Sequence, residues 1–270
     1  MDKIDKSSIR PGDVLLHRTR GEISKLVAWA GDSPYSHAAI VYDGDNLREA
    51  ISKGVVDTPI AERLAMTDKF DFIDVYRRAD APAGLADMAM LAVRAVADGY
   101  SGKSYPLNEL WYLGLVCAIR DKVPLDPPVK ELLREITDMF IDHDPSQQVC
   151  SEFVYRCYAE AQTYPSIKPR IVVTSGPHES FPAIDLFKLY EEYEEAKGNA
   201  EPHARAAARM RPAVGHAPVT DRELRARYAK VKAQVGDPVI DGNPNPRTIL
   251  PADIQNSPDF KAIGRVLVGD

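Results

Sequence analysis

At 270 residues the chain is long enough for one substantial core, or one core with a small appendage. A hydrophobic fraction of 44% beside 27% charged residues is ordinary for a soluble globular protein. The net charge of -6 gives no global attraction to nucleic acid or to an anionic membrane surface, so no nucleic-acid partner is expected.

Met1 to Arg10 is charged and lacks the apolar stretch of a signal peptide. No apolar run reaches the roughly 18 residues of a membrane helix, so no integral membrane segment is expected. The longest candidate, residues 110–119, is stopped by Arg120, Asp121 and Lys122. Cys117, Cys150 and Cys157 are odd in number and fit no disulfide framework, which suits synthesis in a reducing compartment. The expectation is a protein that is cytoplasmic as synthesised, with any export left to a dedicated secretion system.

In chain order, Pro11-Gly12-Asp13 reads as a turn and residues 14–16 as a short strand. Ile23, Leu26, Val27 and Ala30 stand at helical spacing, which predicts a helix over 22–30. Residues 36–42 and 47–51 read as two strands joined by the turn Asp43-Gly44-Asp45-Asn46, and 70–76 as a third. Helices are expected over 85–97, closed by Gly99, and over 110–119, 129–141 and 149–161. Residues 171–174 suit a strand. From Leu186 the chain turns charged and alanine-rich, with a further charged helix over 221–235. Residues 186–247 are therefore expected to be a solvated helical insertion, and the chain becomes ordered again from Leu250.

Cys150 falls in the first turn of the 149–161 helix, with Asp144 or Ser146 available as a cap. There the helix dipole favours a thiolate, and free backbone N–H groups can donate to an oxyanion. On position alone a buried small hydrophobe is an equal reading of this cysteine. Cys117 and Cys157, inside helices, fit that bland role better. His37 opens a strand of small and apolar residues and can serve as the base of a nearby thiol. Glu49, after the hairpin turn, can orient the imidazole. An even loop would put residues 37 and 49 on opposite sheet faces, so their cooperation predicts an odd loop or a bulge near Gly44.

Four stretches together carry a resemblance: Gly12-Asp13-Val14-Leu15-Leu16, Ser36-His37-Ala38-Ala39-Ile40-Val41, Glu49-Ala50 with Gly54-Val55, and Val149-Cys150-Ser151-Glu152-Phe153-Val154. In that order they resemble the circularly permuted NlpC/P60 hydrolases, papain-like enzymes in which the histidine strand precedes the cysteine helix. Gly102-Lys103-Ser104-Tyr105 resembles the Gly-x-x-Tyr element of that group, with Pro106 where an acidic residue often follows. Residues 250–260 resemble the way such chains end. The likeness spans roughly residues 8–180 and 248–265.

The resemblance implies an α+β papain-like fold, a small curled antiparallel sheet packed on the cysteine-bearing helix. Residues 1–185 and 248–270 would form the catalytic domain around the 186–247 insertion. Cys150 matches the nucleophile, His37 the base and Glu49 the orienting acid. Tyr105, Ser36 and Ser151 are the expected substrate-binding residues. No metal or organic cofactor is implied. The implied substrate is an amide bond in a cell-envelope, peptidoglycan-type peptide. Relatives that act on lipid acyl groups offer the alternative of a lipid acyl hydrolase or acyltransferase, and a non-catalytic binding module on the same fold is the third reading. An envelope-directed enzyme type without a signal peptide suggests a secreted effector, with the insertion available to a secretion or immunity partner. Zinc on His17, His37, His178 and Cys150 ranks below these readings because no pair has a short ligand spacing. Ser151 lacks the glycine surroundings of a serine nucleophile.

Overall fold

Strand 37–41, His-Ala-Ala-Ile-Val, carries small residues on both faces, and this lets other layers approach it closely on either side. It lies in the middle of the protein. The computed structural model describes residues 1–51, 53–81, 84–103, 109–141, 150–171, 180–210, 218–240 and 243–268. Strands β1 (Val14–Thr19), β2 (His37–Val41), β3 (Asn46–Ile51), β4 (Gly54–Pro59), β5 (Phe70–Arg78) and, at the end of the chain, β8 (Phe260–Val268) form one antiparallel sheet. Their order is β4-β3-β2-β1-β5-β8. The two-residue strands β6 (Val239–Ile240) and β7 (Asn243–Pro244) make a separate hairpin. The fold is α+β, with helices α1 (Glu22–Gly31), α2 (Ile60–Ala65), α3 (Asp87–Tyr100), α4 (Glu109–Arg120), α5 (Pro127–Ile141), α6 (Cys150–Ala159), α7 (Leu186–Ala196), α8 (Pro202–Arg209), α9 (Asp221–Val235) and α10 (Pro251–Gln255).

Alternation along the strands divides the apolar residues between two cores. Val14, Leu16, Ala38, Ile40, Ala50 and Val55 face Phe153, Val154 and Cys157 of α6 and Met90 and Val93 of α3. Leu15, Ala39, Val41, Leu47, Ile73 and Val75 form the opposite face, closed by Ile60 of α2. Ala38 and Ala50 hold α6 close to β2 and β3, because a larger side chain at either position would force the layers apart.

The Gly12-Asp13 pair is structural. Gly12 has φ +83°, and a Cβ there would stand 2.8 Å from Leu85. Asp13 is fully buried, accepts both a 2.6 Å and a 2.7 Å bond from Arg77, and caps the turn through Arg10 N–H.

The 186–247 segment differs from the solvated insertion expected of it. Leu189 and Tyr193 of α7, Ala206 of α8, and Leu224, Tyr228 and Val231 of α9 share one core with α1, α4 and α5. Several of its charges are ties to α5: Arg209 to Glu135, Arg227 to Asp138, and Asp221 to Lys130. The last strand, β8, then returns to the edge of the sheet beside β5. Among the described residues, no helix is long and apolar enough to cross a membrane.

Candidate active site

The hairpin register decides whether His37 and Glu49 can meet. Ile40 pairs with Arg48 and Val41 with Leu47, which leaves five residues, 42–46, between the paired ends. The loop is odd, so Glu49 and His37 share a face. Asp43 Oδ1 accepts the N–H groups of Asp45 and Asn46 and shapes the turn. Gly44 has open space around it and no left-handed φ, so the parity comes from loop length and not from a glycine bulge.

Continued by parity, that register places Glu49 opposite Ala39, diagonal to His37 and within reach of a long side chain. The His37 Nε2···Glu49 Oε2 distance is 2.8 Å. Glu49 is fully buried, and its other oxygen accepts Thr58 Oγ1–H at 2.6 Å and an Arg63 Nη2–H. Burial opposes its ionisation. The hydrogen bond from His37 and the charges of His37 and Arg63 outweigh burial and hold the carboxyl well below its ordinary value of 4.5.

Cys150 is the first residue of α6, and 9% of it is exposed. Its thiol hydrogen-bonds with the His37 side chain and lies against the backbone N–H groups of Ala38 and Ser151. Ala38 N–H is available because β2 and β3 pair only at residues 40 and 41, so the strands part before Ala38. With Nε2 committed to Glu49, Nδ1 is the ring nitrogen left for the thiol. Burial disfavours charge on both partners. The nearby imidazolium nevertheless lowers the Cys150 pKa, and the thiolate and Glu49 raise that of His37 above its ordinary 6.5. Each partner thus favours the charged form of the other, α6 adding its N-terminal dipole on the thiolate side. The other cysteines behave oppositely: burial pushes Cys117 up to about 12 and also raises Cys157.

Two expected substrate-binding residues have internal partners. Ser151 is fully buried and its Oγ–H donates to Ile249 O at 2.6 Å, which ties α6 to the segment before α10. Ser36 Oγ accepts Thr19 N–H at 3.2 Å across β1. Tyr105, the caps Asp144 and Ser146, the 171–174 strand past Ile171, and His178 lie outside the described residues. Among the described residues, no group of three or more His, Cys, Asp or Glu side chains is arranged to hold a metal ion.

Four further residues complete the site. Thr58 and Arg63 hold Glu49. His17 pairs with His37 across β1 and β2, the ring centroids 5.2 Å apart. It is fully buried, with neither ring nitrogen hydrogen-bonded among the described residues. Burial, with the charges of His37 and Arg63, pushes its pKa well down, so it sits neutral beside the imidazolium. Tyr112 of α4 brings a buried hydroxyl into the electrostatic surroundings of Cys150 and Ser151. The β-propensity of residues 54–59 was the one sequence signal available for Thr58. Nothing local to Arg63 ties it to a carboxylate 14 residues earlier.

No family model matches the chain, and no curated protein matches it. Among solved structures it is similar to the metalloprotein YiiX of Escherichia coli O157:H7 (DUF1105), at 17% identity and a TM-score of 0.46, over 96% of this chain and 98% of that one. A likeness of that strength carries no argument about activity or ligand.

Proposed function

We propose that this protein is a cysteine-nucleophile hydrolase of the papain-like, permuted NlpC/P60 type, cleaving an amide bond in a cell-envelope peptide. The observation that carries the reading is the meeting of Cys150, His37 and Glu49 from three elements, with Cys150 alone among the three cysteines shifted toward the thiolate.

In the proposed reaction the Cys150 thiolate attacks the amide carbonyl, and the oxyanion forms near the N–H groups at the start of α6. The C–N bond breaks as the His37 imidazolium gives its proton to the leaving amine. His37, now neutral, takes a proton from water, which attacks the thioester and releases the acid and the thiolate. Glu49, clamped by Thr58 and Arg63, fixes the ring so that one nitrogen always faces the sulfur. A peptidoglycan-type substrate, and delivery of the protein as an effector, extend the family resemblance.

The test is incubation with purified peptidoglycan and, separately, with phospholipid vesicles, followed by mass spectrometry of the products. Peptide fragments released by the protein and absent with Cys150→Ala are the expected result. Products from the vesicles alone would replace the amide reading with acyl-ester chemistry. No Cys150-dependent product from either would leave a binding module.

A further inference from the structure

The residues that orient His37 cross four neighbouring strands and close on themselves. Glu49 of β3, His37 of β2, His17 of β1 and Phe70 of β5 stand on adjacent strands of the sheet. Register puts them on one face. His17 pairs directly with His37. Leu15, two residues before His17 and on the same face, lies in the core on the side away from α6. Phe70 pairs with Thr19 only after the register shifts between Arg18 and Thr19. Without that bulge, alternation from Ile73 and Val75 would turn Phe70 toward α6; with it, Phe70 joins Leu15, Ile73 and Val75.

Ring contacts run along this row. The His17 ring lies 5.2 Å from that of His37 and 5.4 Å from that of Phe70. Arg63 of α2 holds its guanidinium 5.2 Å from the Phe70 ring and donates to Glu49, whose other oxygen meets His37 Nε2 at 2.8 Å. Five residues from five elements thus make a closed circuit. His17 is the member that meets the His37 ring through a ring contact. It is fully buried, and no described side chain bonds its ring nitrogens.

One hydrogen bond at Nε2 fixes the tip of the His37 ring but leaves the ring free to swing about that bond, which would carry Nδ1 off the sulfur. A rigid ring packed beside it removes that freedom. An uncharged ring is needed there. His37 as imidazolium and Arg63 already set two cations against the one carboxylate of Glu49, and a third cation in the same buried space would lack a partner. Burial, with the charges of His37 and Arg63, keeps His17 neutral.

We propose that His17 is a positioning residue of the Cys150 centre, its neutral ring, backed by Phe70, bracing the His37 ring so that Nδ1 stays on the sulfur. The inference rests on the hydrolase reading and gives a role to a side chain that takes no part in the proton transfers.

The test is the pH profile of iodoacetamide labelling at Cys150 in variants of the full chain. His17→Leu and His17→Met fill the space without a flat ring. Whichever keeps a cooperative urea transition should move the profile upward by about one pH unit, or about tenfold slower labelling near pH 7. His17→Phe restores a flat ring and should recover most of the native rate. On a His37→Ala background the same His17 substitution should add no further shift, because it acts only through the imidazole. With Cys150 of the native chain labelling faster than Cys117 and Cys157, three results would each overturn the positioning role alone. These are a profile unmoved by His17→Leu and His17→Met, an equal shift in His17→Phe, or a further shift on top of His37→Ala. If Cys150 of the native chain labels no faster than the other cysteines, the hydrolase reading itself fails and the role of His17 with it.

Discussion

His37 has two bonding partners, and the protein assigns one ring nitrogen to each. Glu49 takes Nε2 at 2.8 Å, and the thiol of Cys150 faces the other nitrogen. Glu49→Gln keeps the size and removes the charge, so the imidazolium loses a stabilising partner. Its expected effect is a lower His37 pKa and slower alkylation of Cys150 near neutrality, read by rate against pH. The carboxyl also ties stability to acidity. Its native pKa is depressed, so its contribution is complete above the unfolded value, near 4.5, and is lost as the pH falls through the lower native value. Denaturant midpoints should therefore fall below about pH 4.5 more steeply in the native chain than in Glu49→Gln. Parallel slopes would contradict the depressed carboxyl. Arg63→Gln leaves Glu49 short of one donor and one cation at a buried position, so its carboxyl pKa should rise and the acid fall of the denaturant midpoint should begin at higher pH than in the native chain.

At the scale of elements, α6 sits on β2 and β3 because Ala38 and Ala50 leave room for it. Ala50→Leu should cost about 1–3 kcal/mol by overpacking, measured as a lower urea midpoint, and should misplace Cys150 relative to His37. What the sequence discloses at this level follows the strength of local signals. Helix α9 runs Asp221–Val235, the bounds expected of the charged helix, and begins with the Thr220–Glu223 capping box. Helix α1 extends one residue past the expected 30, where Asp32 takes a left-handed conformation and closes it. The odd hairpin loop was inferable once His37 and Glu49 were required to share a face. Strand β4 escaped detection because Val56-Asp57-Thr58-Pro59 alternates only weakly and ends in proline. Gly99, expected to end α3, lies inside it; the left-handed glycine is Gly102, two residues after the helix ends at Tyr100.

The whole molecule departs furthest from its sequence in residues 186–247. Their charge density suggested a solvated face, yet Leu224, Tyr228, Val231 and Val235 form a buried stripe at helical spacing. Pairs such as Arg209 with Glu194 and Glu135 satisfy much of that charge within the fold. Composition averages over both faces of a helix, so a charged outer face masked an apolar inner one. Tyr228, 1% exposed and donating to Lys122 O at 2.8 Å, provides the test. Tyr228→Ala should cost about 3 kcal/mol or more in equilibrium unfolding, where a solvated arm would give less than about 0.5 kcal/mol. Of the candidate site, the sequence singles out Cys150, His37 and Glu49, and the structure brings these three side chains together. Its supports were not legible, because Thr58, Arg63, His17 and Tyr112 reach it through contacts between elements that no local pattern encodes.

The most direct measurement of the central claim is the rate of iodoacetamide labelling of each cysteine against pH, in the native chain and in His37→Ala. Cys150 should react fastest, its profile lying below the ordinary thiol value of 9.0, with Cys117 and Cys157 slow throughout. In His37→Ala the Cys150 profile should move upward, because burial then acts on the thiolate without its cation. Equal slow labelling of all three cysteines, or a Cys150 profile unmoved by His37→Ala, would contradict the account.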